Sequence, residues 1–170
     1  MGYNPFGSTY PEETKRKLTS TQPQQAPLTH GPLDGVKVLD LSEDIAGSFC
    51  GRLLADYGAE VLKLEPPTGV SLRRMGPFFG DDPHPEKSLF YLLMNLNKKG
   101  ATLNLETVTG RNILERLVPH VDVVIESYRP GYLADLGVGY DDLQKENPSL
   151  IMTSITPFGQ TVPYSQYKGE

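Results

Sequence analysis

The turn Ser127-Tyr128-Arg129-Pro130-Gly131 puts a hydroxyl, an aromatic ring and a guanidinium within three residues. Tyr128 can stack on a flat base, and Arg129 can pair with a phosphate. Lys98-Lys99 and Arg73-Arg74 add two pairs of cations, with Phe78-Phe79 close to the second to cover a ligand. A nucleotide with a phosphate tail fits these groups, and so does the ordinary solvated fate of surface Lys and Arg. Glu65 stands where a ribose-binding acid belongs in a dinucleotide-binding unit. The rest of that fingerprint is missing. In place of G-x-G-x-x-G the turn offers only Gly47 and Gly51. Glu43-Asp44 lies just ahead of the helix, where carboxylates suit the helix dipole and repel a phosphate. Ordinary NAD binding is therefore not expected. The P-loop, nucleophile-elbow, HExxH and kinase signatures are absent. His30, His84 and His120 have no nucleophile near them in sequence and are expected to be structural or solvated. The single cysteine, Cys50, excludes disulfides and zinc clusters and is expected to pack as a small hydrophobe.

These residues need elements to position them. Residues 36–67 read as strand, helix, strand. Val36, Val38, Leu39 and Leu41 form an apolar β-run, and Ser42-Glu43-Asp44 makes an acidic turn. Phe49, Cys50, Leu53, Leu54 and Tyr57 follow at helical spacing, with Ser48, Arg52 and Asp56 opposite, so the large apolar face is expected to be buried. Gly58 suits the helix end, Val61, Leu62 and Leu64 form a second strand, and Pro66-Pro67 stop it. A long Gly- and Pro-rich loop covers residues 67–87. Further on come a short buried helix at 89–96, a turn at 95–100 and a strand at 101–105. Thr107 or Thr109 caps a helix whose apolar face holds Ile113, Leu114, Leu117 and Val118. The clearest strand is 121–127, followed by short helices at 131–136 and 141–146 and a strand at 150–155. Alternating strands and helices predict an α/β fold, a Rossmann-like doubly wound and mainly parallel sheet, incomplete at its far side. Its ligand site lies beyond the carboxyl ends of the strands.

Composition narrows the class. The length of 170 residues suits one domain with a tail, or part of a larger protein. Residues 1–30 are rich in Pro, Gln, Ser and Thr, have no apolar period, and are expected to be a disordered leader. They carry no secretory signal, and Phe6 breaks the myristoylation motif. No run approaches the roughly 18 apolar residues of a membrane span. Net charge is −5, with basic clusters only at residues 15–17 and Lys98-Lys99. Neither nucleic acid nor membrane is an expected partner, and the expected location is cytoplasmic.

Residues 32–168 carry an ordered series of landmarks. It begins with Pro32-Leu33-Asp34-Gly35, Ala46-Gly47, the run from Leu53 to Val61, and Lys63-Leu64-Glu65-Pro66-Pro67. It continues through Asn95-Leu96-Asn97-Lys98-Lys99, Asp122 to Glu126, Arg129-Pro130-Gly131 and Leu136 to Tyr140, and ends at Asn147-Pro148 and Phe158-Gly159-Gln160-Thr161. In order and spacing the series resembles the N-terminal part of family III CoA-transferases, a family that includes formyl-CoA transferase, carnitine CoA-transferases and α-methylacyl-CoA racemase. The resemblance implies a Rossmann-like domain in an interlocked homodimer, or one needing a companion chain. The implied activity is transfer of CoA from an acyl-CoA to a carboxylic acid, with no prosthetic group and with the CoA thioester as substrate. A downstream aspartate attacks the thioester, and CoA then passes to a second acid.

Residue by residue, the resemblance places CoA against Ile45, Ala46 and Gly47, against the segment from Leu103 to Glu106, and against Ser127, Tyr128, Arg129 and Lys168. Asp44, Ser48, Ser127 and Asp135 depart from the family's usual residues. No catalytic residue is assigned within the chain, because the nucleophilic aspartate is expected beyond Glu170. Gly169-Glu170 lacks the histidine common in the racemase branch, which tilts the expectation toward a transferase. An acyl-CoA racemase, an inactive CoA-binding subunit and a purely structural partner stay open as alternatives. The donor and acceptor acids are not readable from the sequence.

Overall fold

The computed structural model describes residues 31–167 and 169. The expected leader over residues 1–30 lies outside the described residues, as do Lys168 and Glu170. Strand β1 (Lys37–Asp40), helix α1 (Ile45–Asp56) and strand β2 (Glu60–Glu65) form the expected βαβ unit. Three short 3-10 turns, Ser71–Arg74, Phe79–Asp81 and Pro85–Lys87, punctuate the long loop. Then come α2 (Leu89–Met94), β3 (Lys99–Thr102), α3 (Val108–Leu117), β4 (Val123–Glu126), α4 (Tyr132–Asp135), α5 (Tyr140–Glu146) and β5 (Ile151–Ser154). All strand pairs are parallel, in the order β3-β2-β1-β4-β5. The fold is the expected Rossmann-like α/β sheet. Chain order reverses between β1 and β4, and a crevice beyond their carboxyl ends is where such sheets take ligands.

Each face of the sheet has its own core. Leu39, Leu41 and Val124 pack with Leu114, Val118, Leu133 and Leu143 of the α3–α5 layer. Val38, Val61 and Ile125 pack with Ala55 on the α1 side. Along β1 the side chains alternate between the two layers, the period-2 arrangement of a strand covered on both faces.

Helix α1 corrects the sequence reading. Its buried residues are Gly47, Ser48, Gly51 and Ala55. The large residues point away from the sheet: Ile45, Phe49, Leu53 and Tyr57 are 40–56% exposed. The cause is close approach. A Cβ on Gly51 would lie 2.6 Å from Asp40 Oδ2, and one on Gly47 would lie 2.3 Å from Ser42 Cβ. Only a small-residue face lets α1 settle onto β1, and the apolar period of the sequence marks the opposite face. Helix α2, expected to be buried, has no buried residue, and Leu89, Leu92, Leu93 and Leu96, on or just after it, extend the exposed apolar surface.

Strand β3 lies two residues earlier than expected. Its parallel register with β2 runs from Leu62↔Lys99 to Glu65↔Thr102. Every residue of β3 is exposed, as suits an edge strand. Leu103 and Leu105 instead reach the core past the strand end, so their alternation reflects burial of a loop. Thr107, one of the two expected caps, accepts the N–H of Gly110 at 3.0 Å and starts α3.

Candidate functional site

The three central strands each end in a buried acid: Asp40 on β1, Glu65 on β2 and Glu126 on β4. They line the carboxyl edge where a ligand would sit, and each is held differently.

Asp40 accepts from Lys63 Nζ at 3.1 Å and from Lys98 Nζ at 2.7 Å, both ammonium groups being buried. It also accepts the Ser42 N–H at 3.0 Å. Burial pushes the Asp40 carboxyl up, but Lys63, Lys98 and these hydrogen bonds outweigh it and hold the group below the usual carboxylate range. The register brings the first pair together, since Asp40 is the cross-strand partner of Lys63. Lys98 also donates to the Ser48 carbonyl at 2.7 Å and to Asn95 Oδ1 at 2.9 Å, tying β1, α1 and the end of α2 into one knot. Lys98 is therefore not free for a phosphate, as its sequence position suggested, and Lys99 pairs with Glu60 on the surface. The sequence reading missed this knot. The signal was present, as a charged residue inside each of two apolar strands.

Glu65 is not a free ribose acid. Arg73 grips it through Nε at 2.7 Å and Nη2 at 2.8 Å, and the Tyr91 hydroxyl donates to it as well. Burial raises its pKa, but Arg73 and Tyr91 bring it below the usual range. Arg73 also pairs with Glu86 at 3.0 Å, and its guanidinium lies 3.9 Å from the centre of the Tyr91 ring. Arg73 is thus the anchor of the long loop rather than a phosphate ligand.

Glu126 has no cationic partner within ion-pair distance among the described residues. It accepts the Tyr128 N–H at 2.7 Å and Gln160 Nε2 at 3.4 Å. Burial pushes its pKa up. It lines a cavity of about 180 Å³ with Arg129, Tyr132, Tyr140, Ser154 and Gln160.

Most of the expected ligand contacts gather around these ends. At the start of α1, Ile45 and Ala46 are exposed, and the Gly47 N–H donates to Asp44 Oδ1 at 2.8 Å, which makes Asp44 the N-cap. Ser127 Oγ accepts the Glu43 N–H at 2.9 Å and so fastens the β4 turn to the β1 turn. The Tyr128 ring packs on Tyr132 with centroids 4.8 Å apart, and the Tyr132 hydroxyl donates to Glu106 in the β3 turn. That hydrogen bond, with some burial, pushes the Tyr132 hydroxyl up to about 12. Burial, with the Glu43 charge next, pushes Tyr128 above its usual range. Arg129 pairs with Asp135 at 2.8 Å, and both side chains are exposed. Leu103 is drawn into the core, with its N–H on the Glu65 carbonyl at 2.8 Å.

The remaining candidates stand aside. His84 caps a 3-10 turn, its Nδ1 accepting the Glu86 N–H at 3.1 Å. His120 lies past the end of α3, ahead of the amino end of β4 and so at the opposite end of the strands from the carboxyl edge, by a 700 Å³ hollow. Cys50 is half-buried against the α1-side core, and burial raises its thiol pKa.

Residues 33–170 match the family described as CoA-transferase family III. A succinyl-CoA–D-citramalate CoA-transferase of Chloroflexus aurantiacus is 45% identical over 139 residues, which is 81% of this chain and 34% of that protein. The beta subunit of a succinyl-CoA–L-malate CoA-transferase from the same organism is 42% identical over 81% of this chain and 33% of its own length. The crystal structure of a CAIB/BAIF family protein from Brucella suis superposes with a TM-score of 0.76 at 41% identity, covering 83% of this chain and 37% of that one. The chain thus spans about one third of the length of these curated relatives.

Proposed function

The chain belongs to CoA-transferase family III, and from that premise we propose that the protein moves CoA from an acyl-CoA thioester to a carboxylic acid. The observation that carries this reading is the meeting of three βα turns at the strand-order reversal. Ser127 joins the β4 turn to the β1 turn, and Tyr132 joins it to Glu106 of the β3 turn. In this reading CoA lies along Ile45, Ala46 and Gly47, passes Leu103 and Glu106, and reaches Ser127, Tyr128 and Arg129, with Lys168 as a further contact. Arg129 suits the phosphate role because its exposed pair with Asp135 is weak and easily exchanged.

The chemistry needs only carboxylates and a thiol. A carboxylate supplied from sequence beyond residue 170 adds to the thioester carbonyl. The C–S bond breaks, CoA leaves as a thiolate, and an anhydride forms. The thiolate then attacks the enzyme's carbonyl of that anhydride, which releases the donor acid and leaves CoA on the enzyme as a thioester. The acceptor acid runs the same two steps backward. Atoms balance without oxidant, reductant or water.

Both curated relatives are named for succinyl-CoA and a dicarboxylic acid, so a short dicarboxylate is the acceptor proposed here. A second copy, interlocked, or a companion chain covers the apolar face of α1 and α2. The support is the size of that exposed face and the subunit name of one relative. Among the described residues no helix is long and apolar enough to cross a membrane, and a cytoplasmic location belongs to the same proposal. The racemase reading is not favoured, because the relatives carry transferase names.

The test is to express the complete gene and incubate the protein with succinyl-CoA and isotopically labelled dicarboxylic acids. A new labelled CoA thioester, seen by mass spectrometry, is the expected result. Finding none with any acid, while a 2-methylacyl-CoA exchanges its α-proton with deuterated solvent, establishes the racemase instead.

A further inference from the structure

Beyond the crevice, the cations at this edge of the sheet are nearly all engaged. Lys63 and Lys98 share Asp40, Arg73 holds Glu65 and Glu86, Lys87 pairs with Asp82, and Arg129 pairs with Asp135. Arg111 turns back onto the carbonyls of Leu105 and Glu106. Arg74 is different. Among the described residues its guanidinium meets no carboxylate, and its one hydrogen bond is a long 3.4 Å contact with the Thr68 carbonyl.

Arg74 opens onto a cavity of about 140 Å³ lined by Arg73, Phe78, Pro83, His84 and Pro85. One aromatic ring and two prolines give it apolar walls. Because His84 Nδ1 accepts a backbone N–H, the ring's Nε2 is left as the hydrogen-bond donor. A guanidinium, an imidazole N–H and apolar walls in a cavity of this size suit one carboxylate on a short carbon chain. The cavity adjoins the carboxyl edge of the sheet. It shares Arg73 and Pro85 with a 300 Å³ cavity lined by Glu65, Thr68 and Thr102. Ser71, three residues before Arg74, donates to the Glu43 carbonyl in the β1 turn at 3.2 Å, so the loop is fastened to the crevice.

We infer that Arg74, with Phe78 and His84, forms a subsite for the remote, non-reacting carboxylate of a dicarboxylic acceptor. The inference rests on the CoA-transfer reading and adds the residues that select the acceptor. Arg73 fixes the loop through Glu65, which leaves Arg74 to meet the ligand.

The test compares the protein from the complete gene with Arg74→Gln and Arg74→Lys. Acceptors are succinate and glutarate against butyrate and pentanoate, and thermal unfolding confirms that the variants are folded. For Arg74→Gln, kcat/KM for the dicarboxylates is expected to fall about tenfold or more, as for a lost charge-assisted hydrogen bond. Values for the monocarboxylates and the KM for acyl-CoA are expected to stay level, and Arg74→Lys is expected to recover part of the loss. An equal fall for both acceptor classes, no fall at all, or a raised KM for acyl-CoA instead, which would place a CoA phosphate there, overturns the subsite. Calorimetric titration with glutarate is independent of turnover. Arg74-dependent binding without any CoA transfer keeps the subsite and refutes the transferase reading. Transfer without Arg74-dependent binding does the reverse.

Discussion

At the scale of single residues, the carboxyl edge of the sheet depends on how each buried charge is balanced. Asp40→Asn leaves the Lys63 and Lys98 ammonium groups buried against a neutral partner, and about 3–5 kcal/mol of stability should be lost. Urea unfolding measures it. The pH dependence has a definite sign. The Asp40 pKa is lower folded than unfolded, so its stabilising share is present above the usual carboxylate pKa. That share is lost as pH falls through the depressed value. Glu126 behaves oppositely, because burial raises its pKa and ionisation works against the fold. The Tm of Glu126→Gln relative to the parent should therefore climb as pH rises from about 4 to about 7. A difference that stays flat over this range contradicts the assignment. Ser48 is a third case. Its buried hydroxyl has no hydrogen-bond partner among the described residues, so Ser48→Ala should be neutral or stabilise by up to about 1 kcal/mol in the same unfolding measurement.

At the scale of elements, α1 decides what else the chain can do. Its glycines look like remnants of a dinucleotide fingerprint, yet each leaves room for a side chain beneath it. Gly51→Ala should cost about 1–3 kcal/mol through overpacking against Asp40. Leu53→Ala, on the outward face, should change the stability of the 170-residue chain by less than about 0.5 kcal/mol. Urea unfolding of the two variants separates the observed packing from the amphipathic reading, which puts the larger loss at Leu53. The identity of β1, β2 and β4 was legible because they are short apolar runs divided by Gly and Pro signals, whereas the order of the strands in the sheet was not read from the sequence. The facing of α1 was not legible either, since period alone does not say which face of the helix meets the sheet. The position of β3 was hidden because an exposed edge strand has no apolar period of its own. At the candidate site, the place of Ser127, Tyr128 and Arg129 beyond the carboxyl end of β4 could be read from their position after the clearest strand. The Asp40–Lys63 half of the buried knot left a signal in two charged strand residues, but the Lys98 arm could not be read, because it reaches Asp40 from 58 positions away.

At the scale of the whole molecule, the described residues form two-sided sheet packing around β1, β2 and β4, with unfilled apolar surface left on α1 and α2. In the proposed reading the CoA path and the exposed apolar surface both begin at α1, so assembly and ligand binding would bear on the same helix. Ala46 is the residue to probe. It is exposed at the start of α1 and belongs to neither core, so an indole there should obstruct the proposed CoA path and leave the sheet packing in place. The decisive measurement is a calorimetric titration of CoA into the protein expressed from its complete gene, beside Ala46→Trp. The account predicts saturable binding by the parent and at least about tenfold weaker binding by a variant that unfolds at the same temperature. Absence of CoA binding by the parent, or equal affinity in Ala46→Trp, would contradict it.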